Sequence, residues 1–385
     1  MNHTFRLTLA LLVGVTASLT AQNTSRWELF QALDWEGRQD FLDQNPTTPW
    51  EEDFLLKALE MDDAAVIEAG TTKEVSIKRA MAIKLVKLLV ALPSSKAAPA
   101  IARLPQQYRD PVLRGESWLG LAKLGDRTVV PSLVLALADL NDSTLRGHGE
   151  EIQASYAIEA LGLFKAPEAF RAVTAASVAW YTPASGVRVL AKRTLPQLVP
   201  DVPKATVELL ASGEDLSLKE ALFQTIVDQG DASYTAQAAS AILGPLVRLR
   251  ARDKTDQDRT IRMTLSTLVA AQKSTSPPVS FVPPIKVLLT KGDNPQVMVQ
   301  SIRLLGKIDD PSALDLLSTT LAGYNARQKL GTNTPSDLAL VKELFQALVQ
   351  TGKAAARVSL SEARFSDYTP ALTRDAEAAL AQLPK

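Results

Sequence analysis

The sequence predicts an all-α protein built as a solenoid, a superhelical stack of antiparallel helix pairs. Three observations predict it: apolar residues recur at helical spacing, short stretches repeat at a distance, and helix starts are marked over and over by a capping residue followed by proline. The first is clearest at Leu338, Val341, Leu344, Phe345 and Leu348, whose i, i+3, i+4 pattern places them on one face of a helix. Gly352 follows, a residue free to take the positive φ that ends helices.

The second observation is internal repetition. Leu222–Gly230 (LFQTIVDQG) and Leu344–Gly352 (LFQALVQTG) match at five of nine positions, with Lys219-Glu220 and Lys342-Glu343 just upstream. Ala160-Leu161-Gly162 precedes Pro167 at the same spacing at which Leu304-Leu305-Gly306 precedes Pro311. The third is the series Thr48-Pro49, Asp110-Pro111, Asn294-Pro295, Asp310-Pro311 and Thr334-Pro335. The side-chain oxygen of the first residue accepts from an orphan N–H of the new helix, and proline occupies a first-turn position that needs no N–H.

Composition agrees. Hydrophobic residues make up 46 % of the 385, but aromatics only 5 %, and alanine and leucine, strong helix formers, dominate. A chain of this length exceeds a typical single core, and repeat stacks escape that limit because each unit touches only its neighbours. Lys78, Arg114, Arg146, Arg188, Lys219, Arg262, Arg303 and Lys342 align near the starts of inner-type helices, about 30–45 residues apart, which is two-helix repeat spacing.

These features resemble the HEAT-repeat family of armadillo-like α-solenoids. The resemblance is carried by Leu145-Arg146 with Ala157 and Ala160-Leu161-Gly162, by Val187-Arg188 with Ala191 and Leu195, by Ile302–Gly306 with Pro311, and by the Leu124-Gly125-Asp126 turn leading to Pro131. It departs from the pattern at Gly147–Gln153, read as an insertion, and near residues 274–284. The family implies scaffolding or partner binding.

At the N-terminus, one Arg precedes the uncharged apolar run Leu7–Leu19, too short to span a bilayer comfortably and ending in small residues. Residues 1–21 are read as a signal peptide, cleaved after Ala21 or, as runner-up, after Ala17, with a periplasmic or secreted mature chain. That chain is expected to hold helical repeats over 22–273 with a cap formed around Trp27, Trp35 and Trp50, a Pro-rich connector at 274–284 (STSPPVSFVPP), and further repeats over 285–385. The polar segment Asn325–Asp337 is expected to be an exposed loop.

Forty-two basic residues balance 42 acidic ones, so no whole-chain field draws nucleic acid or anionic membrane. There is no cysteine, and His148 is the only histidine outside the leader. Disulfides, thiolate metal sites, cysteine nucleophiles and multi-histidine zinc sites are thereby excluded, and any Ser-His mechanism is limited to His148. No nucleotide, hydrolase or metalloprotease motif is present. The reading is a non-enzymatic scaffold of the cell envelope that binds a protein or peptide, with no cofactor, no metal, no nucleic acid and no membrane insertion after cleavage. A carbohydrate-active enzyme would require two carboxylates facing across a sugar, and a small-molecule or lipid carrier would require an apolar cavity between helices.

Candidate binding residues are Arg146, His148, Trp180, Tyr181 and Arg188. His148 lies beside Glu150 and Glu151 but between two glycines, the setting of a solvated loop histidine. Trp180-Tyr181 can serve as an interface anchor or as a cap over the core between repeats. The aligned basic row can line a groove or can tie each repeat to an acidic residue of its neighbour, with Asp142, Glu214 and Asp293 as mates. The acidic pairs Asp62-Asp63 and Asp309-Asp310 read as helix caps.

Overall fold

The computed structural model describes residues 26–44, 50–61, 70–92, 96–212, 216–292 and 294–384. The leader, Thr48-Pro49, Asp62-Asp63, Glu214 and Asp293 lie outside them. Among the described residues there are twenty α-helices, four short 3-10 turns and no strand. No described helix is long and apolar enough to cross a membrane.

The chain divides into two compact units, Met1–Pro200 and Asp201–Lys385. The boundary therefore falls at Pro200-Asp201 and not at the Pro-rich segment, which lies inside the second unit. Residues 279–281 form a 3-10 turn, and Pro283 and Pro284 sit in the first turn of the next helix. Proline needs no N–H partner there, so a proline-dense segment starts a helix instead of linking two domains.

The first unit begins with α1 (Arg26–Ala32), α2 (Trp35–Asp43) and α3 (Glu52–Glu60). These carry an aromatic cluster of Trp27, Phe30, Phe41, Trp50 and Phe54, with Phe30 and Phe54 edge-on at 5.2 Å. The Arg26 guanidinium lies 4.1 Å from the Trp50 ring. The cluster covers the open end of the repeat core, the place of the expected tryptophan cap. Then follow α4 (Thr72–Ala91), α5 (Ala98–Gln107), α6 (Pro111–Leu124), α7 (Val130–Asp142), α8 (His148–Phe164), α9 (Phe170–Ala176) and α10 (Val187–Leu198). The even-numbered helices α4, α6, α8 and α10 pack side by side, α7 lies against α9, and each odd helix pairs with the even helix after it.

The second unit holds α11 (Val202–Ala211), α12 (Leu216–Gln229), α13 (Ala232–Arg248), α14 (Lys254–Ala271), α15 (Val282–Lys291), α16 (Pro295–Lys307), α17 (Pro311–Lys329), α18 (Pro335–Gln350), α19 (Ala356–Ala363) and α20 (Pro370–Gln382). Its odd helices α11 to α19 form one row; α14, α16, α18 and α20 form the other. Each unit is thus an all-α stack of antiparallel helix pairs, the α-solenoid arrangement that the HEAT-repeat resemblance implied.

Local chemistry explains the punctuation. Asp110 accepts from the N–H groups of Val112 and Leu113, Asn294 from Val297, and Asp310 from Ser312. Thr334 and Asp337 form a reciprocal capping box. Glycines set how closely helices approach. A Cβ on Gly306 would lie 2.9 Å from the Ala347 Cα, so α16 and α18 touch backbone to backbone at that point. The faces they bury include Ile302, Leu305, Leu344 and Leu348, all fully inside, each worth about 1.5–3 kcal/mol of transfer free energy.

Two local expectations differ from the structure. His148 opens α8 directly after Gly147, so the supposed insertion Gly147–Gln153 is helical. Glu150 and Glu151 stabilise that first turn against the helix dipole. The expected loop Asn325–Asp337 is helical to Lys329, and Asn325 is buried. Its Oδ1 accepts a hydrogen bond from the Tyr368 hydroxyl at 3.0 Å, while its Nδ2 is buried without a hydrogen-bond partner.

Candidate functional site

Three of the sequence-predicted residues, His148, Trp180 and Tyr181, lie together where α7 ends and α8 begins. Trp180 Nε1 donates to the Leu140 carbonyl at 3.0 Å. The Tyr181 hydroxyl donates to Asn141 Oδ1 at 2.9 Å, while Asn141 Nδ2 donates to the Ala172 carbonyl. Glu151 accepts from both the N–H and the hydroxyl of Thr182, at 2.8 and 2.6 Å. Those two bonds hold its carboxyl below the usual carboxylate range. His148 Nδ1 lies 3.9 Å from Glu151 Oε2, with its side chain 84 % exposed.

Tyr181 is fully buried, and burial pushes its hydroxyl well above the usual phenol range. Tyr181 thus packs within the core between repeats, with Trp180 partly exposed beside it. Arg146 is exposed just before α8. Arg188 stands in the first turn of α10, with its Nε buried and without a hydrogen-bond partner.

A sequence signal for this latch exists. Tyr181-Thr182-Pro183-Ala184 recurs as Tyr368-Thr369-Pro370-Ala371. In the second unit Tyr368 bonds Asn325 of α17 as Tyr181 bonds Asn141 of α7. One Tyr–Asn clasp thus closes an odd-helix C-terminus in each unit, and the repeated tetrapeptide announces it.

The aligned basic residues all lie in or just before even-numbered helices, but they do different work. Arg303 of α16 makes a two-pronged bond to Glu343 of α18, at 2.8 and 2.7 Å, and Lys342 of α18 lies 3.3 Å from Asp375 of α20. Lys219 is buried and caps the end of α11 through the carbonyls of Leu210 and Ser212. Arg114 is half-buried, 5.5 Å from the Trp118 ring, and desolvation lowers its pKa. The neighbour-tying role holds for Arg303 and Lys342, though not through the expected mates. Asp142 has no ion pair among the described residues, and Glu214 and Asp293 lie outside them. Arg259–Glu220 and Lys87–Glu116 add cross-repeat pairs that the alignment did not contain.

Along the even-helix face of the second unit these pairs flank shallow troughs. One, of about 490 Å³, runs between Leu265 and Val269 of α14 and Pro295 and Val299 of α16, with Gln296 and Gln300 along it. Another, of about 280 Å³, lies between α18 and α20 beside Gln346, Val349 and Gln382. Among the described residues no group of three or more histidine, aspartate or glutamate side chains is arranged to hold a metal ion.

No protein-family model matches the chain, and no curated protein matches it. Among solved structures it is similar to human deoxyhypusine hydroxylase in complex with glycerol, at 15 % identity and TM-score 0.27, covering 86 % of this chain and 96 % of that one. The reading of the chain as a non-enzymatic scaffold is corrected accordingly. That solved protein is a hydroxylase, and a fold by itself neither assigns nor denies catalysis. At this degree of likeness nothing of the hydroxylase's chemistry passes to this chain.

Proposed function

We propose that the second unit binds an extended polypeptide segment along the face formed by its even-numbered helices. The observation that carries this reading is the trough between α14 and α16. Its floor offers apolar contact through Leu265, Val269 and Val299. The Gln296 amide supplies donors and an acceptor suited to a peptide backbone, and Gln300, whose Oε1 accepts from Gln272 Nε2, adds its amide donors. Val269 is 47 % exposed, an apolar side chain open to a partner. On this face Arg259, Arg303 and Lys342 are each paired with a carboxylate, while Arg262 of α14 is exposed and in no ion pair among the described residues.

A photo-crosslinking residue at Val269, compared with one at the exposed Leu135 of the first unit, tests the reading. Discrete polypeptide adducts from position 269 alone, lost on Val299→Glu, are expected. Equal adducts from both positions, or none from 269, would overturn it.

We also propose that the chain works outside the cytoplasm, on the strength of the charged start and the apolar run Leu7–Leu19. N-terminal sequencing of the exported protein is expected to begin at Gln22. Recovery of the intact chain in the cytoplasmic fraction would end that reading.

A further inference from the structure

The second unit contains a cleft that the peptide-binding face does not use. It opens where α13 and α15 end and α14 and α16 begin, and it measures about 220 Å³. Its walls are mainly apolar, with Leu246 from α13, Ile261 from α14, Leu288 from α15 and Val297 from α16, and α14 adds the polar Gln257, Thr260 and Thr264. The cleft is open to solvent on one side, and its volume is roughly seven times the ~30 Å³ that a water occupies in the liquid.

The mouth is of opposite character. Lys291 and Asn294 stand at it, and Lys291 Nζ is held in place by a 2.7 Å bond to the Val247 carbonyl. One lip is the segment 248–254, which contributes Leu249 and Ala251 to the lining. That segment also carries Arg248, Arg250, Arg252 and Lys254, all exposed and none in an ion pair among the described residues. Its single acid, Asp253, is engaged as the cap of α14, accepting from the Asp256 N–H. On α14 itself Asp256 and Asp258 offset part of this charge, and Arg259 is taken up by Glu220. None of the four lip cations lines the cleft itself, where the ammonium of Lys291 is the cation at the mouth.

We infer that this cleft binds a small amphipathic carboxylate, with a short aliphatic or single-ring body in the apolar pocket and the carboxylate at the cationic mouth. Each half of the site selects one half of the ligand. The walls are mainly apolar, with the Thr260 hydroxyl already donating to the Asp256 carbonyl, and the Lys291 ammonium at the mouth favours an anion over a neutral head group. The volume admits a body of about seven non-hydrogen atoms at the same figure per atom, which excludes long-chain lipids from full burial.

The test is a titration of the full chain, followed by amide and methyl NMR shifts, with octanoate, octanol and acetate as three separate probes. Octanoate is expected to shift Ile261, Leu288 and Val297 saturably. Octanol should bind about tenfold more weakly, the worth of one hydrogen bond to a charged group, and acetate should not bind. Leu288→Trp, which fills the pocket, should abolish octanoate binding, and Lys291→Gln should weaken it several-fold without altering the octanol affinity. Octanol binding as tightly as octanoate, shifts that do not saturate, or shifts elsewhere in the unit would overturn the inference. Leu288→Trp adds bulk between packed helices, so the Lys291→Gln comparison stands by itself: equal octanoate affinity in that variant also overturns it. Neither outcome touches the trough between α14 and α16, which Val269 crosslinking reads independently.

Discussion

Gly306 and Gly323 are both helical glycines, on α16 and α17, and replacing each with alanine is expected to move stability in opposite directions. At Gly323 the new methyl group meets nothing within 4 Å. Alanine then contributes only its helix preference, about 0.5–1 kcal/mol over glycine. At Gly306 the same methyl would lie 2.9 Å from the Cα and 3.0 Å from the carbonyl oxygen of Ala347 on α18. Those are backbone atoms and cannot rotate aside, so α16 and α18 must part by several tenths of an ångström. Overpacking of this kind costs about 1–3 kcal/mol, more than the propensity gain, for a net loss of about 1–2 kcal/mol. In a unit of this size each kcal/mol shifts the melting temperature by about 2–4 °C. Thermal and urea melts by circular dichroism, with Gly244→Ala as a second open-space control, measure both shifts. A Gly306→Ala protein as stable as Gly323→Ala would refute the backbone contact between α16 and α18, and with it the argument that small residues set the repeat spacing.

Other expectations can be checked in the same preparations. Tyr156 and Tyr368 have hydroxyls pushed up to about 12, chiefly by burial. Their protonated form is favoured in the folded state, so this contribution is intact below the ordinary phenol value near 10 and stability falls as pH rises from there toward 12. Absorbance titration should show these phenols ionising late, and Tyr368→Phe should flatten the alkaline slope. That substitution and Tyr181→Phe each strand an asparagine acceptor and should cost about 1–3 kcal/mol by urea midpoint; a neutral result for both would deny the clasp. Arg303→Ala should cost no more than about 1 kcal/mol, because the pair is partly solvated, and the loss should shrink in high salt. Lys165 ends α8 with φ 49° and ψ 50°, a left-handed conformation. Lys165→Gly should therefore stabilise by about 0.5–1 kcal/mol in a chemical melt, and a loss of that size would contradict the assigned backbone.

Helix pairs, their caps and their spacing could be read from the sequence because they depend on neighbours along the chain. Asp110, Asn294, Asp310 and Thr334 cap helices through atoms two or three residues away, and such contacts leave a local pattern. The repeated Tyr-Thr-Pro-Ala was equally present in the sequence, but its meaning was not, since each tyrosine reaches an asparagine about forty residues earlier. Proline content pointed to a domain boundary at 274–284. The structure uses Pro283 and Pro284 to start a helix and divides at Pro200-Asp201, because a compact unit is defined by packing across the chain and not by composition. The partners of Arg303 and Lys342, and the cleft beneath Lys291, follow from side chains that meet only after the helices stack. Periodicity alone determined that this chain forms helix pairs; which charges cancel, and where a pocket is left unfilled, was decided by the register between neighbouring repeats.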